Sequence, residues 1–264
     1  MITVETKATE DPINLEEYEK IQPAMVIPVG NTKVVYATPN AMTGWRVKSF
    51  FTKEPETVAW MGEFGSGEVM IDVGANVGMY SIWAAKTRGA QVFAFEPESQ
   101  NYALLNRNII YNQLSSKVTA FCTALSDDTG FDVLHLADFN YGRSCHSFGE
   151  RLNFRLEEQK FAFTQGAFAT TLDLLVQTGT VPAPHHIKID VDGFEHKVIE
   201  GAKQTIAGPT LKSLLIEINQ NLAEHMAIVD HLRSQGFTYS QEQVSEAERV
   251  DGLFEGVANY VFRR

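Results

Sequence analysis

The sequence predicts an α/β fold: a mostly parallel sheet with helices on both faces. Three observations predict it. From residue 69 onward, short apolar strands alternate with helix-patterned segments at roughly 30 residues per unit. The first of these strands runs into a glycine-rich turn, Asp72-Val-Gly-Ala-Asn-Val-Gly78, and then a helix. Two further strands end in the acidic residues Glu96 and Asp190, at the strand ends where open α/β sheets place their sites.

Each element has its own signal. Residues 1–20 are polar and acidic and are expected to be loosely ordered. Residues 25–38 read as a hairpin turning at Gly30-Asn31. Glu54–Phe64 reads as a short helix with Pro55 near its start. Val69–Val73 is a strand, and Met79–Arg88 is a helix stopped by Gly89. Gln91–Phe95 is the second strand, Ser99–Asn112 the second helix and Val118–Ala124 the third strand. The polar and aromatic run over 127–170 breaks this rhythm, with strands expected near Asp132–Leu136 and Phe161–Thr170. The alternation resumes with a short helix at Thr171–Val176, a strand at His186–Asp190 and a helix over Gly193–Ile206. A strand at Leu211–Ile218, a helix at Leu222–Gln235 and a final strand pair, Phe237–Gln241 and Val257–Arg263, complete the chain.

Composition excludes several classes. The 264 residues are 44% hydrophobic and 21% charged, which is ordinary for a folded globular domain. A formal net charge of −11, with no basic block, makes a nucleic-acid backbone a poor partner. No apolar run approaches the ~18–20 residues of a membrane span. The N-terminus has neither the basic flank nor the apolar core of a signal peptide. Cys122 and Cys145 cannot build a disulfide framework and fit a reducing compartment, so a cytoplasmic location is expected.

The chemistry-bearing residues cluster at the predicted strand ends. The first turn reads D-x-G-x-N-x-G rather than the G-x-G-x-x-G that cradles a pyrophosphate. A carboxylate at Asp72 repels a pyrophosphate but suits a cationic ligand such as S-adenosylmethionine. Asp72, Gly74, Asn76 and Gly78 are therefore cofactor-binding candidates. Glu96, 24 positions after Asp72, is placed to accept from both ribose hydroxyls. Ser126 borders the expected adenine site, or is an ordinary turn serine. Asp190 and Asp192 end the strand His186–Asp190. Asp190 needs a partner such as Lys188, a metal or a substrate hydroxyl, whereas Asp192 can alternatively cap the following helix. If the next strand is a neighbour, Asp190, Glu217 and Asn219 converge into an all-oxygen set suited to Mg²⁺.

These runs resemble the FkbM family of S-adenosylmethionine-dependent methyltransferases. The resemblance rests on Met70–Gly78, Val92–Pro97, Thr171–Asp173, Ile187–Glu195 and Leu215–Glu217, in register over about residues 54–263. It implies a class I methyltransferase (Rossmann-like) fold. Its sheet would have seven strands, parallel except for an antiparallel last strand, preceded by an N-terminal hairpin extension (1–53) and carrying a cap insertion (about 137–170). It also implies methyl transfer to a hydroxyl of a sugar, glycan or natural-product metabolite. Asp192 stands where the family usually has Glu. The hairpin and the cap insertion carry no motif, and substrate identity is expected to lie there.

Methyl transfer to a hydroxyl also needs a proton acceptor. Asp190 is the first candidate, as base or metal ligand, with Asp192 and His196 as further catalytic candidates and His146 and His225 as weaker ones. Cys122 reads as core, and Cys145 has no activating partner in sequence. The chain lacks the Asn-Pro-Pro, Asp-Pro-Pro and Pro-Cys signatures of base-modifying enzymes, again disfavouring nucleic acid. The alternatives are an NAD(P)-dependent oxidoreductase on a similar sheet and a non-catalytic cofactor-binding module. A homo-oligomer is left open.

Overall fold

The computed structural model describes residues 14–264. Residues 1–13 of the polar N-terminal run, including the segment read against a signal peptide, lie outside the described residues. The end of that run is helical: α1 (Leu15–Lys20) starts at Asn14, whose side chain accepts from the Glu16 and Glu17 amides. The hairpin forms as β1 (Ala24–Val29) and β2 (Thr32–Ala37), antiparallel across Gly30-Asn31. Three helices follow: α2 (Ala41–Lys48), α3 (Phe50–Lys53) and α4 (Pro55–Gly62), the last with Pro55 in its first turn.

The alternating segment begins with β3 (Val69–Val73), α5 (Met79–Arg88), β4 (Gln91–Phe95), α6 (Ser99–Tyr111) and β5 (Val118–Phe121). The strand predicted over 118–124 is split here. After Phe121 the chain leaves the main sheet, and β6 (Ala124–Leu125) joins a second sheet with β7 (Gly130–Leu136), β8 (Ser147–Phe148) and β9 (Phe163–Thr170), in the order β6-β9-β7-β8. The insertion therefore departs from the main sheet before residue 137. The chain returns through α7 (Leu172–Gln177), β10 (His186–Ile189), α8 (Glu195–Glu200), α9 (Lys203–Ala207), β11 (Ser213–Asn219), α10 (Ala223–Ser234), α11 (Gln241–Ala247) and β12 (Val257–Arg263).

The main sheet has the order β12-β11-β10-β3-β4-β5, parallel throughout except for the antiparallel β12. It has six strands, not seven. The strand expected at Phe237–Gln241 is reduced to a single bridge between Thr238 and Arg263. Ser240 diverts the rest, because its hydroxyl accepts from the Gln243 amide and starts α11. The helix expected over 193–206 is likewise two helices. The chain must pass Gly201 against the Ser126 carbonyl, where a Cβ would lie 2.0 Å from that oxygen.

The sheet is buried on both faces, so β3 and β10 are apolar throughout apart from Asp72, His186 and Lys188. One core, containing Trp60, Ile82 and Leu104, lies on the α5–α6 side together with the hairpin; the other, containing Ile189, Ile216 and Leu232, lies on the α8–α10 side. The hairpin is bonded to α6. The Val35 and Ala37 amides donate to the side chains of Asn112 and Asn108, and Asn112 Nδ2 donates back to the Val35 carbonyl. The chain runs outward from β3 to β5 and then returns to β10 on the other side of β3. This reversal opens a crevice at the carboxyl ends of β3 and β10.

Candidate active site

A cavity of about 590 Å³ occupies that crevice. Its floor is the ends of β3, β4, β10 and β11. Its walls are α2, the loop before β8 and the segment around Phe254. Gly74 makes the floor possible. Its φ is +76°, and a Cβ there would lie 1.9 Å from the Asp190 carbonyl oxygen. Only glycine lets the β3–α5 turn lie against the end of β10.

The predicted cofactor residues fall into two groups. Gly74, Asn76, Glu96, Ser126 and Asp190 line the cavity; Asp72 and Gly78 do not. Gly78 starts α5 at φ +79°, where a Cβ would meet Leu105 Cδ1 at 2.3 Å, so its smallness packs α5 on α6. Asp72 is buried inside the sheet, where it accepts from Ser81 Oγ at 2.5 Å. Burial pushes its carboxyl up, against the pull of Lys188 across the β3–β10 pair. Glu96 faces the cavity from the end of β4. Its two oxygens accept from the Asn76 and Glu98 amides, each at 2.8 Å. Burial pushes Glu96 up to about 8. The side chain of Asn76 is already engaged: Nδ2 donates to the Arg143 carbonyl at 2.7 Å and Oδ1 accepts from the Val77 amide. Ser126 donates to Asp127 at the cavity edge.

The carboxylates at the end of β10 have distinct partners. Lys188 is 2% exposed, and its ammonium donates to Asp190 Oδ2 at 2.8 Å. Burial alone would raise Asp190, but the charges of Lys188 and Lys53 and the Lys188 hydrogen bond hold it down to about 2. Asp192 sits at φ +53°. It accepts from the Cys145 amide at 2.7 Å and caps no helix. Burial and the Asp190 charge push Asp192 up to about 6. Its conformation is set from below, where Glu195 accepts from the Val191 and Gly193 amides at 2.8 and 3.0 Å. His225 contacts Glu195 at 3.2 Å, so this histidine supports the loop from the buried side. Burial and Asp192 push the Cys145 thiol up to about 12, which keeps it protonated and a poor nucleophile.

Glu217 lies near the end of β11, two residues before its last, and pairs with Arg249 at 2.8 Å. Burial and Asp190 push it up to about 8. Oxygens of Asp190, Asp192 and Glu217 all lie within 4.8 Å of one another, a set that could hold a cation. Of the predicted metal set, Asp190 and Glu217 come together and Asn219 does not line the cavity. The Asn219 Oδ1 accepts from the Asn221 amide and its own amide donates to His225. Asp192 takes the third place. His196 also stands apart from its predicted role. It lies on α8, does not line the cavity, and its buried Nδ1 has no partner among the described residues. Burial and the neighbouring His225 lower its pKa.

Several site residues carried no sequence signal. Lys53 and Glu54 form an ion pair beneath Asp190, and Tyr80 donates to Glu54 at 2.6 Å. Arg249 reaches the floor from the segment before β12. Met42, Trp45 and Arg46 line the cavity from α2 at spacings of three and four, the pattern of one helix face. That spacing is the one trace of them in the sequence.

Known proteins share the part of the chain that carries the glycine turn and the strand-end carboxylates. The family model described as "Methyltransferase FkbM domain" matches residues 72–239, from the buried aspartate of β3 to the bend after α10. The 31-O-demethyl-FK506 methyltransferase FkbM of Streptomyces tacrolimicus is 25% identical over 216 residues, 74% of this chain and 79% of that protein. The hexuronic acid methyltransferase AglP of Haloferax volcanii is 25% identical over 178 residues, 66% of each protein. Among solved structures, a methyltransferase FkbM from Methylobacillus flagellatus aligns with a TM-score of 0.49 at 15% identity, over 76% of this chain and 44% of that one. The family match takes in Glu96, the Asp190–Glu195 loop and Glu217 as well as the glycine turn, and on that match the chain belongs to the FkbM methyltransferase domain family.

Proposed function

We propose that the protein is an S-adenosylmethionine-dependent O-methyltransferase acting on a hydroxyl of a small molecule, a sugar, glycan or natural-product metabolite. One juxtaposition carries the reading. A diol-accepting carboxylate, Glu96, and a carboxylate held ionised, Asp190, share one cavity on either side of Gly74. This donor set fits a ligand that joins a ribose to a positive charge and has no phosphate. When bound, S-adenosylmethionine supplies a methyl group on a cationic sulfur.

The residues have separable tasks. Glu96 binds and orients the ribose. Asp190, fixed by Lys188, faces the positive charge. A carboxyl held near 2 is a weak proton acceptor, and Asp192, at about 6, is better matched to take the hydroxyl proton. The walls from α2 and Phe254 would hold and orient the acceptor beside the donor. Such positioning supplies up to ~7–11 kcal/mol in favourable cases. The names of the two relatives, a 31-O-demethyl-FK506 methyltransferase and a hexuronic acid methyltransferase, support a hydroxylated metabolite as acceptor. A cytoplasmic location belongs to the same proposal. Among the described residues, no helix is long and apolar enough to cross a membrane.

Calorimetric titration with S-adenosylhomocysteine and with NAD tests the donor. Micromolar binding of S-adenosylhomocysteine is expected. Binding of NAD with none of S-adenosylhomocysteine would overturn the reading in favour of an oxidoreductase. A screen of glycan and natural-product acceptors with labelled S-adenosylmethionine tests the acceptor class.

A further inference from the structure

Residues 141–145 lie between β7 and β8 and belong to neither. They include Gly142, Arg143, Ser144 and Cys145, which line the same cavity as Gly74 and Glu96. Their backbone is held by side chains from four separate parts of the fold. The Asn40 Nδ2, at the start of α2, donates to the Tyr141 carbonyl at 3.0 Å, and Arg46 Nε donates to the Gly142 carbonyl at 2.8 Å. Asn101 of α6 accepts from the Gly142 amide at 2.7 Å and donates to the Arg143 carbonyl at 3.0 Å. Asn76, in the glycine turn itself, donates to the same Arg143 carbonyl at 2.7 Å. Asp192 accepts from the Cys145 amide at 2.7 Å.

Two features make this arrangement a latch rather than an element of the core. Every one of these bonds runs from a side chain to the strap backbone, so the strap can detach without breaking a helix or a ladder. One of the bonds ties the strap to the glycine turn itself, because Asn76 belongs to that turn. Gly142, at φ +80°, brings the strap close to α2, where a Cβ would meet Thr43 Cγ2 at 3.0 Å. We propose that residues 141–145 form a strap closed over the cavity beside the glycine turn, latched jointly by Asn40, Arg46, Asn76, Asn101 and Asp192, which must release to let the spent donor leave. Closure shields the reacting groups from water, and release is a step that can limit turnover. Asn76 and Asn101 are then positioning residues. The function assigned to the cavity rests on the methyltransferase reading, whereas the latch rests on the hydrogen bonds alone.

Trypsin reads the strap directly, since Arg143 is a cleavage site within it. Two variants test the latch. Asn101→Ala removes two bonds. Asn40→Asp keeps the acceptor that caps α2 but loses the donor to Tyr141, and Asn40 does not line the cavity. In the ligand-free wild type, cleavage after Arg143 is expected to be slow, and S-adenosylhomocysteine should slow it further. Each variant should be cleaved on the order of tenfold faster, the loss expected for one or two hydrogen bonds. S-adenosylhomocysteine should dissociate faster from both by a similar factor in stopped flow. Should Asn101→Ala not fold, Asn40→Asp carries the test. Unchanged cleavage after Arg143 overturns the latch. Faster cleavage with an unchanged dissociation rate overturns the gating role. If S-adenosylhomocysteine does not bind at all, the proposed donor and the gating role both fail, while the latch is judged on cleavage of the free protein.

Discussion

Lys188→Met is expected to destabilise the protein strongly, and the loss should shrink in acid. The substitution keeps the length of the side chain and removes its charge. Lys188 is 2% exposed and holds Asp190 at 2.8 Å. It faces Asp72 across the β3–β10 pair, and its charge also reaches Glu54. Without it, the carboxyl groups of Asp190, Asp72 and Glu54 lose the charge of a shared buried cation. Removing one partner of a buried ion pair costs about 3–5 kcal/mol, against a total stability of roughly 5–15 kcal/mol. For a chain of this size that is a fall in Tm of about 10 °C.

The pH dependence follows from the direction of each shift. In the wild type, Asp190 is held at about 2, below its ordinary 3.8. It therefore contributes stability that is present above 3.8 and lost as pH falls through about 2. In the variant the same carboxyl, buried and unpaired, moves above its unfolded value. It then binds its proton more readily folded than unfolded, so stability is recovered as pH falls. Urea denaturation at pH 7 and pH 5 should give a gap between wild type and variant that is narrower at pH 5. A variant within about 1 kcal/mol of wild type at pH 7, or a gap independent of pH, would refute the role given to Lys188.

Two other expectations concern the ligands. At pH 9, where Glu96 is ionised, Glu96→Gln should weaken S-adenosylhomocysteine binding by on the order of 10–100-fold, the cost of one charged hydrogen bond, and leave the fold intact by circular dichroism. Because burial raises Glu96 to about 8, wild-type affinity measured by calorimetry should strengthen as pH rises through 8, and the variant should lose that dependence. An affinity equal to wild type would remove Glu96 from the donor site. If Asp190, Asp192 and Glu217 bind Mg²⁺, millimolar Mg²⁺ should raise the wild-type Tm by a few degrees, with no rise in Asp192→Asn. An unchanged wild-type Tm would remove the metal from the account.

The cavity residues around the glycine turn were legible because they lie close together in sequence. Asp72 to Gly78 and Glu96 sit at the ends of apolar strands, and strand ends can be read from pattern alone. What pattern could not supply was direction. Asp72 ends the same strand as the glycine turn, yet strand alternation turns its side chain into the sheet, toward Ser81 and Lys188. Arg249, Lys53 and the strap were illegible for a different reason. Each reaches the site through a connection far from it in sequence, and no local spacing encodes that closure. Asp192 joins Asp190 and Glu217 because it turns back in a left-handed conformation between two amides bonded to Glu195, which strand pattern does not encode. The seventh strand failed because a serine cap outcompeted the second half of a short apolar run.

The bonds between the hairpin and α6 also bear on how the molecule meets its own copies. A two-stranded hairpin normally offers two open edges on which a further strand can add. Here neither edge is freely available. Pro28 removes a donor from β1, and the amide side chains of Asn108 and Asn112 occupy backbone groups of β2 as a neighbouring strand would. Two asparagines on a helix thereby stand in for a strand. The hairpin ends the architecture on that side and gives a misfolded neighbour little template for edge-to-edge aggregation.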